Sequence, residues 1–220
     1  MLHSLERLLG SGPLCGAALL LTLPLPAPPQ AAGPRTAGPQ PLPSLSHHPS
    51  VSPRPSQAAA AATYTITPER RALLDTIRYA EGTWKGGSPE GYRVLYGGGL
   101  FNSLARHPEI TVRRRYTSAA AGAYQFLPAT WREASRKLAL GDFSAPNQDQ
   151  AALYLVERRG ALAAVDRSGL GEAVLARLSR EWASLPASHG GSHYGQPVKS
   201  RQVLIAFYAT ALQRARQQRG

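Results

Sequence analysis

The chain has 220 residues, with 25 Lys and Arg, 13 Asp and Glu, and a single cysteine, Cys15. One cysteine excludes a disulfide framework and a thiolate metal site, so the fold needs an ordinary apolar core. The net charge of +12 indicates an acidic polymer nearby, such as nucleic acid, an anionic membrane surface or an anionic cell wall.

Residues 1–32 are typical of a secretory signal peptide, because small residues follow the apolar run from Leu14 to Leu25. The alternative is a disordered leader, and the run is too short and proline-rich to predict a membrane anchor. Residues 33–63 are rich in Pro, Ala and Ser and predict a disordered linker. We therefore expect an exported protein with one folded domain over residues 64–220, which holds 22 basic and 12 acidic residues, a net charge of +10.

The first predicted helix begins at the N-cap candidate Thr67, with Pro68 at the first helical position. Its apolar residues recur three and four positions apart, at Leu73, Leu74, Ile77 and Ala80. Glu81 then lies beside the buried face, and Gly82 ends the helix. Burial and the negative end of the helix dipole should raise the pKa of Glu81, so that it can donate a proton to a leaving group. The alternative is a solvated carboxylate at a helix end.

The next segment is rich in glycine and predicts a small, irregular lobe between two helical parts. Within it, residues 92–96 alternate enough to predict a short strand. The run from Gly97 to Gly99 lacks the following Lys-Ser or Lys-Thr of a phosphate-binding loop. The cluster Arg113-Arg114-Arg115 is either a contact for a polyanion or a solvated loop. Because no zinc finger, aromatic RNA-binding signature or wholly basic helix face is present, we expect no nucleic-acid partner.

Apolar residues at helical spacing predict four helices in the rest of the chain. The first opens at Pro128 and ends at Gly141, and the second follows the N-cap candidate Ser144 and ends near Gly160. Two more cover residues 172–182 and 198–216. Trp131 and Trp182 lie on predicted apolar helix faces, which favours core positions. The predicted fold class is α+β, predominantly α, with a small β element.

A series of short motifs, in this order, resembles the phage lambda lysozyme family of lytic transglycosylases. The motifs are Ala80-Glu81-Gly82-Thr83, Gly91-Tyr92, Gly97-Gly98, Leu100-Phe101, His107-Pro108, Ala121 to Leu127, Asp142-Phe143-Ser144, Gln148-Asp149, Glu157 to Leu162, Trp182 to Pro186, and Tyr194-Gly195-Gln196. They cover roughly residues 67–196. The resemblance implies a lysozyme-like fold with a substrate cleft between two lobes, and cleavage of the glycan strands of peptidoglycan.

The resemblance also implies that Glu81 is the single catalytic acid. In that reaction Glu81 protonates the glycosidic oxygen between N-acetylmuramic acid and N-acetylglucosamine. Its carboxylate then removes the proton of the muramic C6 hydroxyl, which attacks C1 of the same ring and gives a 1,6-anhydro end. Other glycosidases use two carboxyl groups, for which the nearest candidates here are Asp142, Asp149 and Glu157. Asp142 and Asp149 both have structural explanations near helix starts.

A glycan cleft also needs hydrogen-bonding side chains and flat apolar surfaces. The substrate-binding candidates are Tyr124, Gln125, Tyr194, Gln196, Ser118 and Tyr92. Each could instead be a packing aromatic or a polar group that holds a loop. The chain departs from the resembled pattern at Ala123 and in a lengthened loop over residues 187–193. His189 and His193 lie in that loop without further metal ligands, and we expect no metal and no cofactor.

Three hypotheses follow: an exported lytic transglycosylase, a hydrolytic muramidase on the same fold, and a non-catalytic glycan-binding or polyanion-binding module. The expected partner is the peptidoglycan glycan strand, with weak electrostatic contact to an anionic wall or membrane surface. We expect a monomer that acts in the periplasm or outside a bacterial cell.

Overall fold

The computed structural model describes residues 64–218, so the signal-peptide and linker predictions for residues 1–63 lie outside the described residues. This part of the chain contains six α-helices and one small antiparallel sheet of two strands. The elements are α1 (Pro68–Glu81), β1 (Val112–Arg113), β2 (Thr117–Ser118), α2 (Pro128–Leu138), α3 (Ala145–Arg158), α4 (Leu162–Ser168), α5 (Glu172–Leu178) and α6 (Arg201–Gln217).

Helix α1 begins and ends where the sequence predicts. The Thr67 hydroxyl oxygen accepts a hydrogen bond from the Arg70 backbone N–H at 3.2 Å, which satisfies one of the free donors of the first turn. At the other end Gly82 adopts a left-handed conformation with φ of +77°. The helix packs mainly against α6, where the rings of Tyr79 and Phe207 stack with centroids 4.1 Å apart.

The glycine-rich lobe is irregular, as predicted, but the strand predicted over residues 92–96 is wrong. Tyr92 and Arg93 end a 3-10 turn, Pro89–Arg93, that the Ser88 hydroxyl caps at the Glu90 N–H. Only Val94 and Leu95 make isolated bridges, to Leu100 and Ala121. The two strands form instead on either side of residues 114–116, so the arginine cluster lies in and beside an exposed hairpin turn.

The later predicted helices all form, but their ends differ: α2 ends at Leu138 rather than at Gly141, and α6 begins at Arg201 rather than at residue 198. Helix α5 ends at Leu178, four residues early, and the chain continues in turns in which the N–H groups of Glu181 and Trp182 donate to the Leu178 carbonyl. Helix α4, between Gly160 and Gly169, was not predicted.

The core lies around α3, whose central side chains are almost completely buried. An aromatic group of Phe126, Trp131 and Phe143 packs beside it, with the Trp131 and Phe143 centroids 4.6 Å apart. Trp131 and Trp182 are 6% and 3% exposed, which confirms their predicted core positions. Between residues 64 and 218 no helix is long and apolar enough to cross a bilayer.

Candidate active site

The backbone that follows Glu81 is fixed in two ways. The Thr83 N–H donates to the Arg78 carbonyl at 2.8 Å, which closes the end of α1 around the left-handed Gly82. The buried Thr83 hydroxyl lies 2.5 Å from the carbonyl oxygen of Ala123. These two hydrogen bonds therefore fix the end of the helix to the loop before α2. They hold the backbone from which the Glu81 side chain extends.

Glu81 itself is a half-buried carboxylic acid. Burial disfavours its charged form and raises its pKa to about 7, while a hydrogen bond donated by Ser184 opposes the shift. The rise confirms the direction predicted from the sequence. A carboxyl group with this pKa is protonated in a large fraction of molecules at neutral pH, so it can act first as an acid and then as a base.

Ser184 is a site residue that the sequence analysis missed. Its Oγ donates to Glu81 Oε1 at 2.6 Å, across a sequence separation of 103 residues. The residue lies within the motif Trp182 to Pro186, which was the available signal. A hydroxyl here holds the carboxyl group in one orientation and stabilises its ionised form.

Replacing Ser184 with alanine is expected to move the alkaline limb of the pH profile of kcat/KM upward by about 0.5 to 1 pH unit. The lost hydrogen bond favours the carboxylate, so its removal raises the pKa of Glu81 further and keeps the acid form to higher pH. The profile is measured from the initial rate of release of soluble fragments from purified peptidoglycan. Ser135→Ala, which removes an exposed hydroxyl on α2, is the control. If the alkaline limb of the profile does not move in the Ser184 variant, the hydrogen bond from Ser184 does not influence the pKa of Glu81.

The other acids named from the sequence are engaged in structural contacts. Asp142 accepts hydrogen bonds from the Ser144 N–H and the Asn147 side chain, which hold its pKa below the usual value. Glu157 is exposed and accepts a hydrogen bond from the Tyr64 hydroxyl. Asp149 is buried and is bound by three donors, described next. Each therefore has a role in the fold.

Tyr92 and Tyr124 belong to the core, which corrects their prediction as substrate contacts. They are 8% and 1% exposed, and their hydroxyls donate to the same oxygen of Asp149, at 2.9 Å and 2.5 Å. The second oxygen of Asp149 accepts from Arg71 at 2.7 Å. Both hydroxyls are bound to Asp149 and less than a tenth of each residue is exposed, so both tyrosines support the fold from within.

The Gln125 side chain also forms hydrogen bonds to the backbone. Its side-chain amide donates to the carbonyls of Val94 at 3.1 Å and Gly122 at 3.0 Å. A protein side chain approaches Gly122 closely: a Cβ there would lie 2.3 Å from Oε1 of Gln148. Buried Gln148, another residue the sequence analysis missed, holds this loop by accepting from the Ala123 N–H at 2.8 Å.

The remaining predicted contacts are accessible. Tyr194 is 58% exposed, with its hydroxyl 3.2 Å from the Arg180 carbonyl, and Gln196 is exposed beside it. Ser118 is half-buried in β2, where its hydroxyl accepts from the Ala120 N–H. These three side chains can reach a ligand without unfolding the core.

Metal ligation has no support in the described part of the chain. The rings of His189 and His193 are 6.0 Å apart, and within residues 64–218 no group of three or more His, Cys, Asp or Glu side chains could hold a metal ion. The arrangement around Glu81 supplies proton transfer by a carboxyl group.

Comparison with known proteins identifies the family. A family model described as Endolysin matches residues 71–214. The endolysin of Escherichia phage lambda is 38% identical over 151 residues, 66% of this chain and 92% of that protein. The endolysin of Escherichia phage P2 is 34% identical over 154 residues, 64% of this chain and 90% of that protein.

Solved structures agree with the sequence comparison. Bacteriophage lambda lysozyme complexed with a chitohexasaccharide matches with a TM-score of 0.61 and 36% identity, over 67% of this chain and 96% of that chain. A second structure of lysozyme from bacteriophage lambda matches with a TM-score of 0.58 and 34% identity, over the same shares of both chains. The lysozyme-like α+β fold is thereby confirmed. Because the family model spans most of the described domain and both relatives are covered almost end to end, the chain belongs to the endolysin family and is an enzyme that cleaves the glycosidic bonds of peptidoglycan.

Proposed function

We propose that the chain is a lytic transglycosylase that cuts the bond between N-acetylmuramic acid and N-acetylglucosamine and leaves 1,6-anhydromuramic ends. The observation that carries this proposal is the contrast between the Glu81 carboxyl group and the other candidate carboxyl groups. Glu81 has a pKa of about 7, whereas Asp142, Asp149 and Glu157 are engaged in capping, core and surface hydrogen bonds. A reaction with one acid and an internal nucleophile needs no second carboxyl group, unlike the two-carboxylate schemes.

Glu81 both donates and recovers the proton in this reaction. Its carboxyl group gives a proton to the glycosidic oxygen as the bond from C1 to that oxygen breaks. The C6 hydroxyl of the same muramic ring then bonds to C1 and returns its proton to the carboxylate. Glu81 ends the cycle protonated, and no water is consumed. Ser184 orients the carboxyl group through both transfers.

Substrate contacts in this proposal come from the accessible residues. Tyr194 offers a ring face, and Gln196 and Ser118 offer an amide and a hydroxyl for the sugar substituents. The lambda lysozyme structure with a chitohexasaccharide supports a glycan ligand for the same fold. Function on peptidoglycan also supports export to the periplasm or the cell exterior, and the expected monomeric state and the boundary at residue 64 remain predictions. Family membership supports an enzyme over the non-catalytic module.

Digestion of purified peptidoglycan in water enriched in oxygen-18, followed by mass spectrometry, tests the mechanism. We expect products that carry no heavy oxygen and are lighter by one water than the fragments released by a hydrolase, because C6 attacks in place of water. Their muramic ends should resist borohydride reduction. Products with one heavy oxygen at a reducible end would identify a hydrolytic muramidase instead.

A further inference from the structure

A cavity without the catalytic acid in its lining lies beside α1. It has a volume of about 420 Å³ and is bounded by α1, by the 3-10 turns Lys85–Gly87 and Pro89–Arg93, and by the end of α6. Neither Glu81 nor Ser184 lines it. Its walls carry the guanidinium groups of Arg71, Arg78 and Arg214, the carboxyl group of Asp75, and the rings of Trp84 and Tyr92.

Arg78 places a buried charge in the wall of this cavity. It is 3% exposed, and its guanidinium carbon lies 5.0 Å from the centre of the Trp84 ring and 4.5 Å from that of Tyr92. Its Nη2 donates to the Ser88 carbonyl, and its Nε is buried without a hydrogen-bond partner among residues 64–218. Glycine at position 91 permits this arrangement, because a Cβ there would lie 2.8 Å from Nη2.

The charges in the walls do not cancel. Arg71 is paired with Asp149 at 2.7 Å, but the contact from Arg78 to Asp75 is long, at 3.6 Å. Arg214 forms no salt bridge with the described residues, and its guanidinium lies over the faces of Trp84 and Phe207, 5.2 Å and 5.8 Å from their centres. With Arg71 neutralised by Asp149, Asp75 is the one carboxyl group in the lining set for the two remaining cations, Arg78 and Arg214.

We propose that this cavity is a second binding site, which takes a ligand carrying a carboxylate or phosphate group between Arg78 and Arg214, beside the ring of Trp84. An oxyanion there would balance the excess positive charge in a partly enclosed space. The volume exceeds that of a single phosphate ion, so a larger anionic molecule fits, such as a wall peptide with free carboxylates or a soluble phosphorylated compound.

Asp75 sets the pH dependence of this site. Burial raises its pKa to about 6, while the facing charges of Arg71, Arg78 and Arg214 oppose the shift and Asp149 on α3 adds to it. As the pH falls through 6, Asp75 becomes neutral and stops competing with the ligand for the guanidinium groups. For an anion whose own charge is constant over this range, such as sulfate, binding should therefore tighten from pH 7.5 to pH 5.5.

Calorimetric titration of the full chain with inorganic phosphate and, separately, with glutarate tests the site. We expect saturable binding of at least one probe, weakened about 10-fold in Arg214→Gln. The matched control is Arg216→Gln on the same helix, because Arg216 pairs with Glu69 and does not line the cavity. Binding of phosphate alone would indicate a phosphorylated ligand, and binding of glutarate alone would indicate a carboxylate ligand.

Asp75→Asn provides a test in the opposite direction. Removing the competing carboxyl group should strengthen probe binding at pH 7.5 and, with sulfate as the probe, abolish the gain between pH 7.5 and pH 5.5, whereas a damaged pocket would bind more weakly. Thermal unfolding of the variant verifies that it folds. The proposal is overturned if neither probe binds at 50 mM, or if Arg214→Gln and Arg216→Gln bind equally well. Because Glu81 is not involved, these results are independent of the reaction products.

Discussion

Replacing Glu81 with glutamine is expected to lower the initial rate of peptidoglycan cleavage by at least about 10³-fold. Glutamine has nearly the same shape and can still accept the hydrogen bond from Ser184, but it can neither protonate the glycosidic oxygen nor take up the proton of the C6 hydroxyl. The rate is measured at pH 6, where the wild-type acid is mostly protonated. Activity within 10-fold of wild type would exclude Glu81 as the acid.

Unfolding of the same variant in urea shows whether the loss is chemical or structural. The pKa of Glu81 is raised from 4.5 to about 7 in the folded chain. Its contribution to stability is therefore fully present below pH 4.5 and is lost as the pH rises through 7, where the half-buried group ionises. Glutamine has no such loss. The free energy of unfolding of Glu81→Gln relative to wild type should rise by on the order of 2 kcal/mol between pH 5 and pH 8. A difference that does not change with pH would show that Glu81 has an ordinary pKa.

Replacing Asp149 with alanine is expected to destabilise the fold by about 3–5 kcal/mol. The side chain is 7% exposed and accepts hydrogen bonds from Arg71, Tyr92 and Tyr124. Its removal leaves a guanidinium without its counter-charge and two buried hydroxyls without an acceptor. The loss is measured as the change in the free energy of unfolding in urea at pH 7.

Asp142→Ala is the matched control for this loss. That aspartate is exposed and caps the start of α3 through hydrogen bonds from the Ser144 N–H and the Asn147 side chain. Its removal should cost about 1 kcal/mol. Equal losses in the two variants would mean that the buried cluster around Asp149 contributes no more than a helix cap.

The catalytic acid was predictable because its signal is local. Thr67, Pro68 and Gly82 mark the two ends of α1, and the helical period between them places Glu81 beside the buried face. The start and end of the helix follow from residues at its two ends, and the helical period indicates the burial that raises the pKa of Glu81.

The tyrosines were misplaced because their partner is distant in sequence. Tyr92 and Tyr124 lie 57 and 25 residues from Asp149, and no local pattern reveals that the three side chains meet. An aromatic residue in a glycine-rich segment looks accessible until the chain is folded. Ser184 was missed for the same reason, since its contact with Glu81 spans 103 residues.

The long contact between Glu81 and Ser184 has a consequence for the order of synthesis. A nascent chain that has left the ribosome only as far as α4 contains Glu81 but neither Ser184 nor the α6 surface against which α1 packs. Long-range contacts form late, after the intervening chain is available. Glu81 therefore lacks its hydrogen bond from Ser184 while the chain is still being synthesised. The active site is complete only when the polypeptide has been made through α6.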